Sequence, residues 1–184
     1  MRADALRRRE TIVTTARKLF AEHGDGLALE TIAAHSGVGI ATLYRNFPSR
    51  EELAHAVAID IVDEICRAVD AAHDARAADA AAAWSALVHA LVEMDLGALT
   101  DAVGSSQGDA AELRTIQSRA ISALDGLLSD LHTAGIVHER VDALGTIVAV
   151  ATVTRPQPDA IRRAAPSVQQ NLVDAFLAWS RPAR

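Results

Sequence analysis

The sequence predicts an all-α fold, and three observations carry that prediction. Apolar residues recur every three or four positions over long stretches, which is the period of an amphipathic helix. Alanine, leucine, arginine and glutamate are abundant, and these residues favour helix over strand. Glycines and prolines separate the periodic stretches. With 184 residues, half of them hydrophobic, the chain is long enough to bury a core of its own.

Three helices are predicted in the first quarter of the chain. Residues 4–23 form an amphipathic helix that Gly24 ends, because glycine accepts the left-handed conformation of a helix cap. Shorter helices are expected over residues 29–36 and 40–46, separated by a tight turn at Gly37.

Longer helices are predicted over the rest of the chain, at residues 50–74, 78–97, 109–133, 139–154 and 166–180. The first of them opens with Ser49 and Glu52 at the spacing of a capping box. The helix over 139–154 is apolar on nearly every side, so it has two faces to bury.

The net charge of −6 hides an asymmetry along the chain. Residues 1–50 carry +3, whereas residues 51–184 carry −9. A basic N-terminal segment followed by an acidic remainder is the charge pattern expected of a protein whose N-terminal part binds a polyanion. The charge split is weak evidence by itself, since solvated helix faces produce similar patterns.

Several other classes of protein are disfavoured by the sequence. A single cysteine, Cys66, excludes an intrachain disulfide framework and a cysteine-based zinc site. The seven histidines are scattered without a zinc-ligand spacing, and no phosphate-binding loop or nucleophile motif occurs. We therefore expect no catalytic residues, no metal and no cofactor. No uninterrupted apolar stretch reaches 18 residues and no signal-peptide core follows the basic start, so a cytoplasmic protein without a membrane span is expected.

Residues 29–47 have the spacing of a helix–turn–helix. Such a unit needs a small residue where its helices meet and a glycine at the turn, here Ala33 and Gly37. It also needs apolar anchors at fixed offsets, here Ile32, Val38 and Leu43. The second helix then presents its other face to the major groove of DNA.

These residues resemble the TetR/AcrR-type transcriptional regulators. The resemblance rests on four segments, ARKLFAEHG at 16–24, TIA at 31–33, GVGIATLYRNF at 37–47 and SREEL at 49–53. It implies a homodimer of about nine helices per chain, with a helix–turn–helix DNA-binding domain over 1–49 and a ligand-binding and dimerisation domain over 50–184. The DNA contacts that it implies are Gly39, Ala41, Thr42, Tyr44, Arg45 and Asn46, with Arg50 on a phosphate. The family's Ser or Thr at the start of the second helix is replaced here by Ala28 and Leu29.

The expected partners are a double-stranded DNA operator, a second copy of the chain and an unknown small-molecule effector. The helices at 139–154 and 166–180 are predicted to form the dimer interface, because their apolar surface exceeds what one core needs. Candidate effector-binding residues lie on apolar helix faces: Ile61, Ile65, Trp84, Val88, Asp95 and Gln117. The effector could release or promote DNA binding.

Two points remain open at the level of sequence. Arg7, Arg8 and Arg9 could contact DNA or merely face solvent on the first helix. A helical protein-interaction module that no longer reads DNA is the alternative function, and Arg45 and Arg50 argue against it.

Overall fold

The computed structural model describes residues 2–23, 26–99 and 110–182. These residues contain helices and no strand, which confirms the all-α prediction. Eight helices have defined bounds within them: α1 (Arg2–His23), α2 (Leu29–His35), α3 (Ile40–Asn46), α4 (Arg50–Glu93), α5 (Ala110–Thr133), α6 (Ala143–Val153), α7 (Asp159–Ala164) and α8 (Val168–Trp179). Residues 96–99 are also helical. Gly24, the predicted cap of α1, lies outside the described residues.

The chain forms two compact units, and the chain passes between them inside α4, after Gly97 and inside α5. The first unit comprises Met1–Ile61 and Ala98–Ile116, and the second comprises Val62–Gly97 and Gln117–Arg184. The predicted domain boundary, between residues 49 and 50, coincides with the N-terminus of α4. This boundary stays a prediction.

The core of the first unit is built around α1. Ile12, Ala16 and Phe20 lie on one stripe of α1 and are fully buried, and α1 packs against α2. An ion pair between Arg17 Nη1 and Asp60 Oδ2, at 3.3 Å, links α1 to α4. This apolar packing holds the helix–turn–helix in place, because α2 and α3 are too short to be stable alone.

Helix α4 joins what the sequence predicts as two helices. Its backbone leaves the helical region at Asp79, where φ is −155° and ψ is 98°. The Asp79 carboxylate accepts a hydrogen bond from the Ala82 amide at 2.9 Å, so it caps the helix that starts there. The first helix was expected to end at residue 74, but the alanine-rich residues that follow are strong helix formers and carry it to the break.

The second unit buries apolar faces of α4, α5, α6 and α8. Trp84 lies in this core, and its indole Nε1 donates to the buried Ser180 hydroxyl at 2.9 Å. The predicted helix over 139–154 is shorter in the structure, because Asp142 caps it by accepting from the Gly145 amide at 2.7 Å. The apolar surface of α6 is only half buried within one chain, since Leu144 remains 57% exposed.

Helix α7 lies between the predicted helices, in a segment where Pro156 and Pro158 disfavour a continuous helix. Pro158 instead precedes its first turn, a position where the fixed φ of proline suits a helix start. The final predicted helix, 166–180, is present as α8.

One stretch of the described residues, Arg50–Leu99, is long and apolar enough to cross a membrane by length and composition alone. A share of 56% of its most apolar window is buried inside the fold. Core helices of soluble proteins pass the same test, so a single stretch of this kind is weak evidence for a membrane span.

Candidate nucleic-acid interface

The turn between α2 and α3 has the backbone geometry of a helix–turn–helix. Gly37 adopts a φ of +67°, which side-chain-bearing residues rarely reach. The Val38 amide donates to the Ala33 carbonyl at 3.0 Å, and the Ser36 hydroxyl donates to the Ile32 carbonyl at 2.7 Å. These bonds close the end of α2 and fix the direction in which α3 leaves the turn.

The start of α2 departs from the family pattern in the way the sequence indicates. Ala28 occupies the N-cap position, and no side chain caps the helix there. The Thr31 amide donates to the Ala28 carbonyl at 3.1 Å, so the backbone alone closes this turn. A serine or threonine hydroxyl that could contact DNA is therefore replaced by a methyl group.

Helix α3 buries one face and exposes the other. Leu43 is fully buried and Phe47, just past the helix, is 1% exposed. Tyr44 is 44% exposed and Ile40 is 37% exposed beside the buried side, and Arg45 is exposed on the side opposite Leu43.

The polar side chains at the end of α3 are held against their own helix. Arg45 donates from Nη2 to the Thr42 hydroxyl at 2.9 Å and from Nε to the Ala41 carbonyl at 3.2 Å. Asn46 donates from Nδ2 to the Thr42 carbonyl at 2.8 Å. Arg45 is exposed, so its guanidinium can exchange these bonds for base or phosphate acceptors at small cost. Gly39, exposed at the N-cap, completes the predicted set on this surface.

Arg50 is half-buried at the start of α4, where two contacts restrain it. Its Nη1 donates to the carbonyl of Leu27, in the segment that leads into α2. Its guanidinium also lies over the ring of Phe20, 5.0 Å from the centroid. Arg50 thus ties α4 to α1 and to the approach of α2, a structural role that spacing in the sequence does not reveal.

The capping box predicted at the start of α4 is present in part. The Glu52 amide donates to the Ser49 hydroxyl at 3.2 Å. The neighbouring carboxylate, that of Glu51, has a pKa below its usual value, first because its own backbone amide donates to it and then because the Ser49 hydroxyl does. The carboxylate in this cap is therefore one residue earlier than the spacing predicts.

The arginine run near the N-terminus lies within α1 and has several partners. Arg7 pairs with Asp4 at 3.0 Å, one turn away on the same helix. Arg9 lies over the ring of Phe47, 4.8 Å from the centroid, whereas Arg8 is simply exposed. The contact between Arg9 and Phe47 was not foreseen, because cation–aromatic pairs between distant segments leave no periodic signal.

The predicted effector-binding residues fall into two groups by exposure. Ile61, Ile65, Trp84 and Val88 are buried. Asp95 and Gln117 are exposed, and Asp95 has a φ of +52°.

A small apolar crevice opens in the second unit, and Val88 is the one predicted residue that lines it. The other lining residues are Val92, Ala149, Val150, Val153, Val173 and Phe176. Its volume of about 20 Å³ is enough for little more than one water molecule, far below the size of a drug-sized ligand pocket. In the part of the chain that the structure describes, no three His, Cys, Asp or Glu side chains are grouped as metal ligands.

The turn geometry, the buried anchor and the exposed face of α3 together define a helix–turn–helix of the kind used by DNA-binding regulators. The comparison with protein families agrees, since residues 12–57 match the model of bacterial regulatory proteins of the tetR family. Among curated proteins, HTH-type transcriptional regulators of several Staphylococcus aureus strains are 40% identical over 58 residues. That match covers 31% of this chain and 31% of each of those relatives.

Solved structures match over nearly the full length of the chain. A TetR transcriptional regulator from Streptomyces coelicolor is 29% identical, with a TM-score of 0.69 over 96% of this chain and 99% of that chain. A TetR regulatory protein from Mycobacterium vanbaalenii is 28% identical, with a TM-score of 0.64 over 95% of this chain and 97% of that chain. The regulator LfrR from Mycobacterium smegmatis, solved with proflavine, shares the fold at 23% identity and a TM-score of 0.66, over 94% of this chain and 93% of its own. Residues 12–57 are thus similar to the DNA-binding segment of the TetR family, and the chain as a whole is similar in fold to TetR-type transcriptional regulators.

Proposed function

We propose that this regulator is a cytoplasmic, ligand-responsive repressor that binds a palindromic or pseudo-palindromic operator as a homodimer. The observation that carries the proposal is the outer face of α3. Tyr44 and Ile40 are exposed there while the buried Leu43 anchors the helix, so the described part of the chain leaves polar, apolar and basic groups of α3 open to solvent. A major groove accepts a helix with such a face.

Within this proposal the residues of α3 divide into readers and positioners. Tyr44, Arg45 and Asn46 reach base edges, because long polar side chains at the end of a recognition helix can form directional hydrogen bonds there. Gly39, Ala41 and Thr42 let the backbone approach the DNA closely and contact it.

The proposed dimer uses the segments 139–154 and 166–180. Large apolar side chains on α6 and α8 are about half exposed: Leu144, Val148, Val168, Leu172 and Trp179. Burying them against the same surface of a second copy would remove that apolar area from water. Two recognition helices must lie about 34–36 Å apart to enter successive major grooves, so the dimer sets the operator length.

The proposed effector binds in the domain over 50–184 and shifts the population between states with different DNA affinity. The structural neighbour LfrR was solved with proflavine, which supports small-molecule binding in a protein of this fold. The candidate residues remain Ile61, Ile65, Trp84, Val88, Asp95 and Gln117. Since Trp84 and Val88 are buried, an effector that reaches them must first separate core helices.

A gel-shift titration tests the DNA-binding proposal. The DNA is a set of fragments from the promoter region of the gene that encodes this protein, and the titration is repeated at several salt concentrations. Wild-type protein should lose affinity steeply with salt, because phosphate contacts release counterions. Arg45→Ala should weaken operator binding by about 1–3 kcal/mol and relax sequence preference. Arg67→Ala, at an exposed arginine of the second unit, is the matched control and should bind as wild type does. Wild-type protein that ignores every fragment would instead favour the protein-interaction module.

Arg50 separates two roles that are easily confused. If it contacts a phosphate, Arg50→Ala weakens all sequences alike and lowers the salt slope by about one unit. Its bond to the Leu27 carbonyl and its place over Phe20 also predict a lower melting temperature for the variant. A weaker complex with an unchanged salt slope would overturn the phosphate contact and leave only the structural role.

A further inference from the structure

The connection between α6 and α8 is exposed from Arg155 onward, after the buried Thr154. Every residue from 155 to 172 is exposed, and α7, which lies inside this run, has no buried residue at all. Ile161, the one large aliphatic side chain of α7, is 47% exposed. Residues 155–167, which we name the arm, therefore contain no buried residue and are only partly covered by their own chain.

A helix in this situation lacks the usual source of stability. Isolated helices of fewer than about 12–15 residues are marginal in water, and α7 has 6. The pair between Arg162 and Asp159 lies on the surface, where ion pairs contribute little. An ordered helix of this length is therefore expected to rest on another surface.

The size of the interface indicates which surface that is. A stable, specific interface takes about 20–30 residues from each partner. Helices α6 and α8 contain 11 and 12 residues. Because each helix also buries residues in its own core, the two helices together offer fewer interface residues than a stable dimer needs. The arm joins these two helices along the chain, and the exposed apolar residues Val148, Ile161 and Val168 lie before, within and after it.

We infer that the arm docks on the second copy of the chain and completes the dimer interface. This inference rests on the proposed homodimer and adds a surface between the two helices assigned to it. Ile161 supplies an apolar anchor, and Arg162 and Arg163 contact acidic side chains of the partner.

The charge distribution supports this occupant. Three arginines and one aspartate give the arm a charge of +2. The rest of the second compact unit has twelve acidic and six basic side chains, a charge of −6. Long-range electrostatic attraction favours docking of the basic arm on the acidic second unit of a partner chain. The basic residues 1–50 of a partner would instead repel the arm.

Sedimentation of the full chain over a range of concentrations tests the inference. Ile161→Ser should raise the dimer dissociation constant about tenfold, because a buried aliphatic anchor is lost. Leu6→Ser is the matched control, since Leu6 is 60% exposed on α1 and lies outside the proposed interface. Arg163→Glu should weaken the dimer more at low salt than at high salt. Because all three positions are exposed, each variant should keep the wild-type circular dichroism.

Limited proteolysis gives an independent readout. Trypsin should cleave after Arg162 and Arg163 in dilute, monomeric protein, and cleavage there should slow as the protein concentration rises through the dimer range. Two results together would refute the docking of the arm without refuting the dimer. Trypsin would cleave equally fast at all protein concentrations, and the Ile161→Ser variant would dimerise as well as wild-type protein. A wild-type chain that stays monomeric throughout would overturn the proposed dimer and the arm with it.

Discussion

The sharpest test of this fold is the substitution of Gly97 by alanine. Gly97 lies where the chain passes the C-terminal end of α6. A Cβ atom added there would lie 2.5 Å from the Arg155 nitrogen and 2.7 Å from the Thr154 carbonyl carbon, and closer still to the Ala151 carbonyl oxygen. Ordinary contact begins at 3.4 Å, and all three neighbours are backbone atoms that no rotamer change can move.

The expected cost follows from these distances. Forcing extra volume into a well-packed interior costs about 1–3 kcal/mol, and rigid backbone neighbours favour the upper end. The Gly97 amide also donates to the buried Thr154 hydroxyl at 2.8 Å, and losing that bond costs about 1 kcal/mol more. Together these terms predict that Gly97→Ala lowers the free energy of unfolding by about 2–4 kcal/mol.

Gly126 provides the matched control within the same unit. It is exposed in the middle of α5, and a Cβ added there would meet nothing within 4 Å. Gly126→Ala should therefore raise the free energy of unfolding by about 0.5–1 kcal/mol, because alanine loses less backbone freedom than glycine. Urea unfolding followed by circular dichroism, at one protein concentration, measures both changes. A Gly97→Ala variant as stable as wild type would refute the close approach.

Two further substitutions test the caps and the core. Ser180→Ala should cost about 1–3 kcal/mol of unfolding free energy, because it leaves the buried Trp84 indole N–H without its acceptor; Ser129→Ala, at an exposed site, is the control. Ser49→Ala should cost about 1 kcal/mol near neutral pH by removing an N-cap. The lowered pKa of Glu51 means that its contribution is present above pH 4.5 and is lost as the pH falls through that lowered value. The stability gap between wild type and Ser49→Ala should accordingly narrow below pH 4.5, and a gap that widens in acid would contradict the assignment.

The parts of the fold that the sequence predicts well are those with a local cause. The helix–turn–helix over 29–47 follows from one small residue, one glycine and three apolar anchors; Ala33, Ile32 and Leu43 are buried, Gly37 has the positive φ of the turn, and Val38 is only half-buried. The outward face of α3 follows as well, since burying Leu43 leaves Tyr44 and Arg45 on the other side.

The rest depends on contacts between distant segments. Periodicity placed Arg50 at a helix start but could not reveal that its guanidinium reaches back to Leu27 and Phe20. Periodicity does not explain why residue 97 must be a glycine. The backbone atoms that leave no room for a Cβ atom there belong to residues more than fifty positions later in the chain. Periodicity took the prolines near Pro158 as the end of helical structure, although proline also begins a helix well.

Sequence alone determined the helical fold class and the position of the helix–turn–helix, and it predicts which surface of that unit would contact DNA. These properties follow from short-range spacing, since residues three or four apart share a helix face whatever the tertiary fold. Only the tertiary structure shows which polar side chains form hydrogen bonds between distant segments, as Arg50 and Ser180 do. It also shows that the arm is exposed along its length. Burial is a property of packing between elements, and no local pattern encodes which of two apolar helices will keep a face turned to water.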